Sequence, residues 1–298
     1  MRFAVAVLAA PGYEHSGIFA DVALSLDSAL MSIGHDSVLT NRLDLDDRYT
    51  VVLQPHLLAS YGVQPPRKAI LYNLEPLAAP DNLQIKTHFA THALIPDLLD
   101  LFRHYPVWDY SQTNIDWLTG HERVPQPSYV PIGYVPELTR IAPAPEDIDV
   151  LFYGSVSDRR REILDRLSAR GFRVETLFGA YGATRDSQIA RSKIVLNIHS
   201  YEAQPLQIVR ISYLLANQRA VVSETRADPA EERDLETGIA FADYDDLVDR
   251  CAELLGDEDA RRGLAARGFQ AFSARSEAEI LRRTLASGIG PGIGPTGL

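Results

Sequence analysis

The chain is short of cysteine, of long apolar runs and of positive charge, and each shortage removes a class of protein. One cysteine, Cys251, stands among 298 residues. No disulfide can form within the chain, and no cysteine-based zinc site is available. Cys251 falls in an amphipathic pattern from Leu247 to Leu255, where a buried, unreactive thiol is expected. No stretch approaches the roughly 20 apolar residues that span a bilayer. Phe3 to Ala10 is apolar but runs quickly into Pro11-Gly12, which fits a first buried strand better than the core of a signal peptide. The cytoplasm is the expected location, with no transmembrane segment. Acidic residues outnumber basic ones 40 to 29, a formal charge of −11. That balance argues against general nucleic-acid binding and against charge-driven docking on an anionic membrane. A dinucleotide fingerprint is missing as well: Gly12 and Gly17 follow the first apolar run, without the required glycine spacing.

What is present is an alternation of strand and helix patterns. Met1 to Ala10 predicts a strand covered on both faces. Gly17 opens a helix in which Ile18, Phe19, Val22, Ala23, Leu26, Ala29, Leu30 and Ile33 recur at helical spacing, and Gly34 closes it. Ser37 to Thr40 completes a βαβ unit. Strands follow at Thr50 to Leu53, Lys68 to Leu74 and Val107 to Tyr110. Helices are expected at Ala93 to His104 and, capped by Ser111, at Gln112 to Leu118. Ile141 to Asp147 is rich in Pro and Ala and reads as a linker. Beyond it the alternation resumes. Strands are expected at Asp149 to Tyr153, Phe172 to Leu177, Lys193 to Ile198 and Arg219 to Ser223. Helices are expected at Asp158 to Arg170, Ala183 to Ser192 and Pro205 to Asn217. Thr225 to Glu236 reads as an acidic loop and Ile239 to Phe241 as a short strand. Helices are expected again at Tyr244 to Leu255, Asp257 to Phe269 and Glu277 to Leu285. The expected fold class is α/β: two Rossmann-like domains, 1–140 and 148–275, facing each other across a cleft, with 276–298 forming a last helix and a flexible tail.

Ligands of open α/β sheets gather outside the carboxyl ends of the strands, so polar residues just after strands are the candidates. In the first half these are Glu14, His15, Gly17 and Asp21, then Glu75, then Asp109, Tyr110 and Asn114, and finally Tyr134. In the second half they are Gly154-Ser155, Arg160, His199, Tyr201, Gln207 and Arg210. A diphosphate leaving group must be stabilised by a metal, a helix N-terminus or a basic side chain. Arg210 interrupts the apolar run Ile208, Val209, Ile211, Leu214 and Leu215, and its guanidinium offers a fixed fork of donors suited to phosphate. Gln207 is spaced for the same helical face. His199 and Tyr201 are placed to flank a base or a sugar. Each has a plainer reading: a surface arginine for Arg160, a structural histidine for His199, a helix-capping carboxylate for Glu75. Asp44-Leu-Asp46 has the form of a metal-binding pair, but reads better as a solvated turn. No other cluster of metal-ligating residues stands out.

Two pieces of the second half, taken in order, carry a resemblance. One is Gly154-Ser155 with Arg159 to Leu164. The other is Asn197-Ile198-His199 through Gln207 to Asn217 and on to Val221 to Glu224. The first half adds His15 to Phe19, Gly34 to Asp36, Asn73 to Glu75, Asp109 to Ser111 with Asn114, and Pro131 to Tyr134. Together they resemble GT-B glycosyltransferases, in particular the bacterial group related to CgeB spore-maturation proteins. The resemblance covers most of residues 1 to about 225. It implies an enzyme that moves a sugar from a nucleotide-sugar donor, held in the C-terminal domain, to an acceptor held by the N-terminal one. That acceptor is a glycan, a lipid-linked molecule, a protein or a small molecule. It also implies no metal and no cofactor other than the donor as co-substrate. Such enzymes often carry a glutamate where Gln207 stands here; Glu202 is a nearby substitute. An inverting reaction needs a base, from His15, Glu14, Asp21, Glu75 or Asp109, with His15 favoured. A nucleotide-sugar epimerase of the same fold and a non-catalytic two-domain binding protein are the alternatives.

Overall fold

A computed structural model describes residues 1–8, 16–77, 91–120, 123–199, 206–226 and 230–288. The chain divides into two compact units, Met1–Val135 joined by the residues from Ser276 on, and Pro136–Arg275.

In the first unit the chain runs β1 (Arg2–Ala6), α1 (Ala20–Ser32), β2 (Asp36–Thr40), β3 (Tyr49–Val52), α2 (Pro55–Tyr61), β4 (Ala69–Asn73), α3 (Thr91–His104), β5 (Val107–Asp109), α4 (Gln112–Thr119) and β6 (Ser128–Tyr129). The strands form one parallel sheet in the order β2-β1-β3-β4-β5-β6. Every residue of β4 is buried, as expected of a strand with helices on both faces. α1 buries Val22, Ala23, Leu26, Ala29 and Leu30, and Gly34 leaves it at φ +90°, a conformation glycine adopts without strain. Helix α2 is not anticipated from periodicity, because seven residues are too few for a repeat. Its ends are nonetheless marked: Pro55 opens it, and Gly62 closes it in the left-handed region at φ +61°.

The second unit runs β7 (Ile148–Tyr153), α5 (Asp158–Ala169), β8 (Val174–Leu177), α6 (Gly182–Arg191), β9 (Ser192–Asn197), α7 (Ile208–Ala216), β10 (Val221–Glu224), β11 (Ala240–Ala242), α8 (Leu247–Gly256) and α9 (Glu258–Ser273). Its parallel sheet has the order β11-β10-β9-β7-β8. Val150, Phe152, Ile163, Leu167, Leu196, Val222, Cys251 and Leu264 share its core. Burial pushes the Cys251 thiol up to about 12, so it is an inert core residue. The proline-rich stretch does not mark the division between the units. The backbone amides of Arg140 and Ile141 each donate to Asn217 Oδ1 at 2.9 Å, and Asp147 is paired with Arg173 and Arg191. The stretch is thereby strapped to the second unit, through partners that composition does not reveal.

The chain then returns to the first unit. Ser276 caps α10 (Glu277–Ala286) with its hydroxyl and bridges Tyr134, and α10 packs on α1. The buried Glu277 carboxylate accepts the Gly133 N–H, while Ser25 Oγ donates to the Gly133 carbonyl at 3.0 Å. A Cβ on Gly133 would lie 2.7 Å from Glu277 N and 2.8 Å from its Cα. Backbone cannot rotate out of the way, so Gly133→Ala is expected to lower unfolding free energy by about 1–3 kcal/mol. An unchanged urea midpoint for that variant would show that the junction is looser than the packing implies.

Both sheets place their first strand between their second and third: β1 between β2 and β3, and β7 between β8 and β9. These are topological switch points, where the crossover helices diverge and leave a crevice at the carboxyl ends.

Candidate functional site

The switch point of the second sheet is occupied by Arg210. The side chain reaches from the first turn of α7 to the ends of β7 and β9. Its Nη1 donates weakly to Asn197 Oδ1 at 3.4 Å, and its guanidinium stands 5.0 Å over the Tyr153 ring. Gly154 makes this approach possible: a Cβ there would lie 2.8 Å from Arg210 Nη2, and the backbone has φ +138°. Burial pushes the guanidinium below its ordinary value, and the phenol oxygens of Tyr153 and Tyr181 offset this in part. Among the described residues no carboxylate pairs with Arg210. A desolvated cation without an anion carries a cost even when half-buried, and a phosphate is a chemical partner that would relieve it.

The neighbouring arginines differ. Arg160 is buried at 3% exposure, so it is not a surface residue. It donates to the carbonyls of Ile198 and Ser155, both at 2.9 Å, and to Ser155 Oγ at 3.3 Å. It thereby ties the loop after β7 to the end of β9. Arg159 forks onto Glu224, with one contact at 2.7 Å, and lies 3.9 Å over the Tyr244 ring. Glu224 also accepts the His199 N–H at 2.9 Å. His199 is fully buried, and desolvation, the largest of its perturbations, lowers its affinity for a proton. In the neutral ring Nε2 donates to the Thr225 carbonyl at 3.3 Å, leaving Nδ1 as a buried acceptor. Gln207 is the N-cap residue of α7 rather than part of it, and its carbonyl accepts from Arg210 N and Ile211 N. Tyr201 lies outside the described residues, as does Glu202.

At the carboxyl edge of the first sheet, Asp109 is fully buried and works as a hub. It accepts from Asn73 Nδ2 at 2.8 Å, Ser111 N at 2.9 Å and Asn114 Nδ2 at 3.0 Å. Asn73 and Asn114 also donate to the Glu75 carbonyl, and Asn114 Oδ1 accepts the Leu77 N–H. Tyr110 is buried beside this network. The Glu75 carboxyl, in contrast, has no hydrogen-bond partner among the described residues, and burial pushes it up to about 7. Gly17 lies in a short 3-10 turn, Ser16–Phe19, ahead of α1, and Asp21 is buried in the first turn of that helix. Tyr134 is engaged at the return of the chain. His15 and Glu14 lie outside the described residues. Asp44 is exposed and paired with Arg42 at 2.8 Å, consistent with a solvated turn.

Three further residues organise these edges: Gln54, which the sequence pattern passes over, and Asn197 and Glu224, which stand in the resembling stretches without an expected role. Each is a polar residue at or just past the carboxyl end of a strand, and that position is the signal that would have found them.

The Glu75 carboxyl has a measurable consequence. Its ordinary value is 4.5 and burial raises it to about 7, so between these pH values the folded chain keeps a proton that the unfolded chain has lost. Stability attributable to this group therefore declines as pH rises from about 4.5 to 7. Glu75→Gln removes the effect, and the variant should gain on the parent by up to roughly 3 kcal/mol between pH 5 and pH 8. Urea unfolding of both at the two pH values measures this; parallel curves would refute it.

No protein-family model matches the chain. Its curated relatives are viral. A protein of Acanthamoeba polyphaga mimivirus described as uncharacterized protein L140 is 30% identical over 177 residues, 55% of this chain and 56% of its own length. Uncharacterized protein L138 of the same virus is 32% identical over 117 residues, 37% of this chain and 13% of its own length. The chain thus spans 13% to 56% of these relatives' length. A bacterial grouping, expected from the motifs, finds no support in these relatives. Among solved structures, Anabaena HepE in complex with UDP-glucose has a TM-score of 0.62 at 14% identity, covering 96% of this chain and 100% of that one. AviGT4, a glycosyltransferase of avilamycin A biosynthesis, has a TM-score of 0.52 at 16% identity, covering 96% and 98%. The fold is α/β with two parallel sheets and matches the GT-B fold of these structures. Among the described residues no helix is long and apolar enough to cross a membrane.

Proposed function

We propose that the protein is a glycosyltransferase that binds a nucleotide-sugar through its second unit and passes the sugar to an acceptor hydroxyl. The observation that carries this reading is Arg210: a half-buried, desolvated guanidinium at a switch point, beside a glycine backbone, with no carboxylate partner among the described residues. A diphosphate placed there accepts the fork of Arg210. His199 Nδ1 is a buried acceptor suited to a hydroxyl of the donor. Arg160, whose donors engage carbonyls, positions the loop rather than touching the ligand. Asn197 and Gly154 hold the guanidinium in place. The likeness to HepE, solved with UDP-glucose, supports a nucleotide-sugar as the donor class. In this reading the anionic leaving group is stabilised by an arginine already desolvated, so little reorganisation accompanies bond cleavage.

Calorimetric titration with UDP, GDP and ADP, each beside its nucleoside, tests the reading. At least one diphosphate is expected to bind at least about 30-fold more tightly than its nucleoside, the worth of one buried charge-assisted contact. Equal affinity for nucleoside and diphosphate in every pair would remove Arg210 from the donor site.

A further inference from the structure

The first unit carries a second pair of unmet polar groups, at its own switch point. Gln54 follows β3 and is fully buried. Its Oε1 accepts the Leu8 N–H at 2.8 Å. A backbone N–H can only donate, so the amide orientation is settled by this bond and Nε2 points away from Leu8. Nε2 is buried and has no partner among the described residues. A buried donor left unpaired costs about 1–3 kcal/mol.

The strand register places a second group close by. Ala6 pairs with Val52, and Val52 with Leu71. Two residues further on, Leu8, Gln54 and Asn73 stand level at the ends of three adjacent strands, and Glu75 is two residues beyond Asn73. The Glu75 carbonyl is clamped by Asn73 Nδ2 at 2.8 Å and Asn114 Nδ2 at 3.0 Å, which holds the residue while its carboxyl has no partner among the described residues. One donor and one carboxyl, each without a partner among the described residues, at neighbouring strand ends match the chemistry of hydroxyl groups, which both accept and donate. Above about pH 7, where the Glu75 carboxyl ionises, an anionic ligand would satisfy Gln54 but meet a like charge. A diphosphate fits the cationic site of the second unit and not this one.

We propose that the carboxyl ends of β1, β3 and β4 form a subsite for an uncharged polyol such as a neutral sugar, with Gln54 Nε2 donating to one of its hydroxyls and the Glu75 carboxyl accepting from one. The subsite names the acceptor class of the transfer reaction and rests on that reading for its role, though not for its chemistry. Gln54 sets the hydroxyl orientation, and Glu75 excludes acids.

Saturation-transfer NMR on the full chain, with methyl glucoside, methyl galactoside and methyl glucuronide as probes, tests it. At about pH 8, where Glu75 is ionised, transfer is expected to at least one neutral glycoside and to be weaker for the glucuronide. Gln54→Glu keeps an oxygen facing Leu8 and removes the amino group; Gln54→Met removes both polar atoms. Each should weaken the neutral glycoside by about fivefold, one hydrogen bond's worth, with the diphosphate affinity of the second unit unchanged. Glu75→Gln should admit the glucuronide as readily as the glucoside. Absence of transfer to both neutral glycosides, or transfer indifferent to both Gln54 variants, overturns the subsite. Gln54-dependent transfer in a chain that binds no nucleoside diphosphate supports the subsite and sinks the donor reading, so the two failures are told apart.

Discussion

Arg210→Ala is expected to weaken nucleoside diphosphate binding by at least about 30-fold, and Arg210→Met to raise the stability of the ligand-free chain. The two effects share one cause. The guanidinium is half-buried, and its contacts among the described residues are one long bond to Asn197, the Tyr153 ring and the close Gly154 backbone. Truncating one member of a buried, hydrogen-bonded charge pair costs about 2–5 kcal/mol, and in the complex the other member is phosphate. Without ligand the same cation is uncompensated, and an apolar side chain of similar length lifts that penalty. Stability given up for a binding site is a common trade. Arg210→Lys separates charge from shape: it keeps the charge but loses the planar fork, and its affinity should fall between those of parent and alanine variant. Calorimetry for affinity and thermal unfolding without nucleotide check both halves. Loss of stability in Arg210→Met with unchanged affinity would make Arg210 a structural residue.

Much of this architecture is legible in the sequence, and the reasons for the exceptions are physical. The long apolar repeats of α1 and α7 and the apolar centres of strands β4, β7 and β9 announce themselves, because strands buried in a parallel sheet are apolar on both faces. Arg210 stands out for the same reason, as a charge inside an apolar run. Helix α2 is too short to show a period, and only its Pro55 and Gly62 ends betray it. The strap at Ile141 to Asp147 looks like a linker because its anchoring depends on Asn217, distant in sequence. The arginine triplet is the clearest case of what pattern alone leaves open. Arg159, Arg160 and Arg161 are equivalent as letters, yet one forks onto Glu224, one is buried against carbonyls and one is exposed. The roles of Arg159 and Arg160 are assigned by acceptors at the ends of β10 and β9, which only the fold brings near. Asp109 is a similar case: a carboxylate after a strand has the sequence signature of a base, whereas its contacts are those of a hub.

Asp109 therefore provides the second large effect, expected in folding. Asp109→Ala deletes the acceptor shared by Asn73 Nδ2, Asn114 Nδ2 and Ser111 N in a fully buried setting. Removing the acceptor of several buried donors costs about 3–5 kcal/mol. Asp109→Asn is the sharper probe, because it preserves shape and changes only chemistry. The amide puts an N–H₂ where three donors already converge, so at least one donor faces another donor. A loss of about 2 kcal/mol or more is expected even for this near-isosteric change. The displaced asparagines are the same groups that clamp the Glu75 carbonyl, so Glu75 should be released as well. Its elevated proton affinity, due to burial, should move back towards 4.5, and the pH dependence of stability between about 5 and 8 should flatten. A base acting directly on substrate behaves differently: Asp109→Asn would then abolish turnover while leaving the urea midpoint and its pH dependence intact. Denaturant unfolding of the asparagine variant at the two pH values distinguishes these outcomes without knowledge of donor or acceptor.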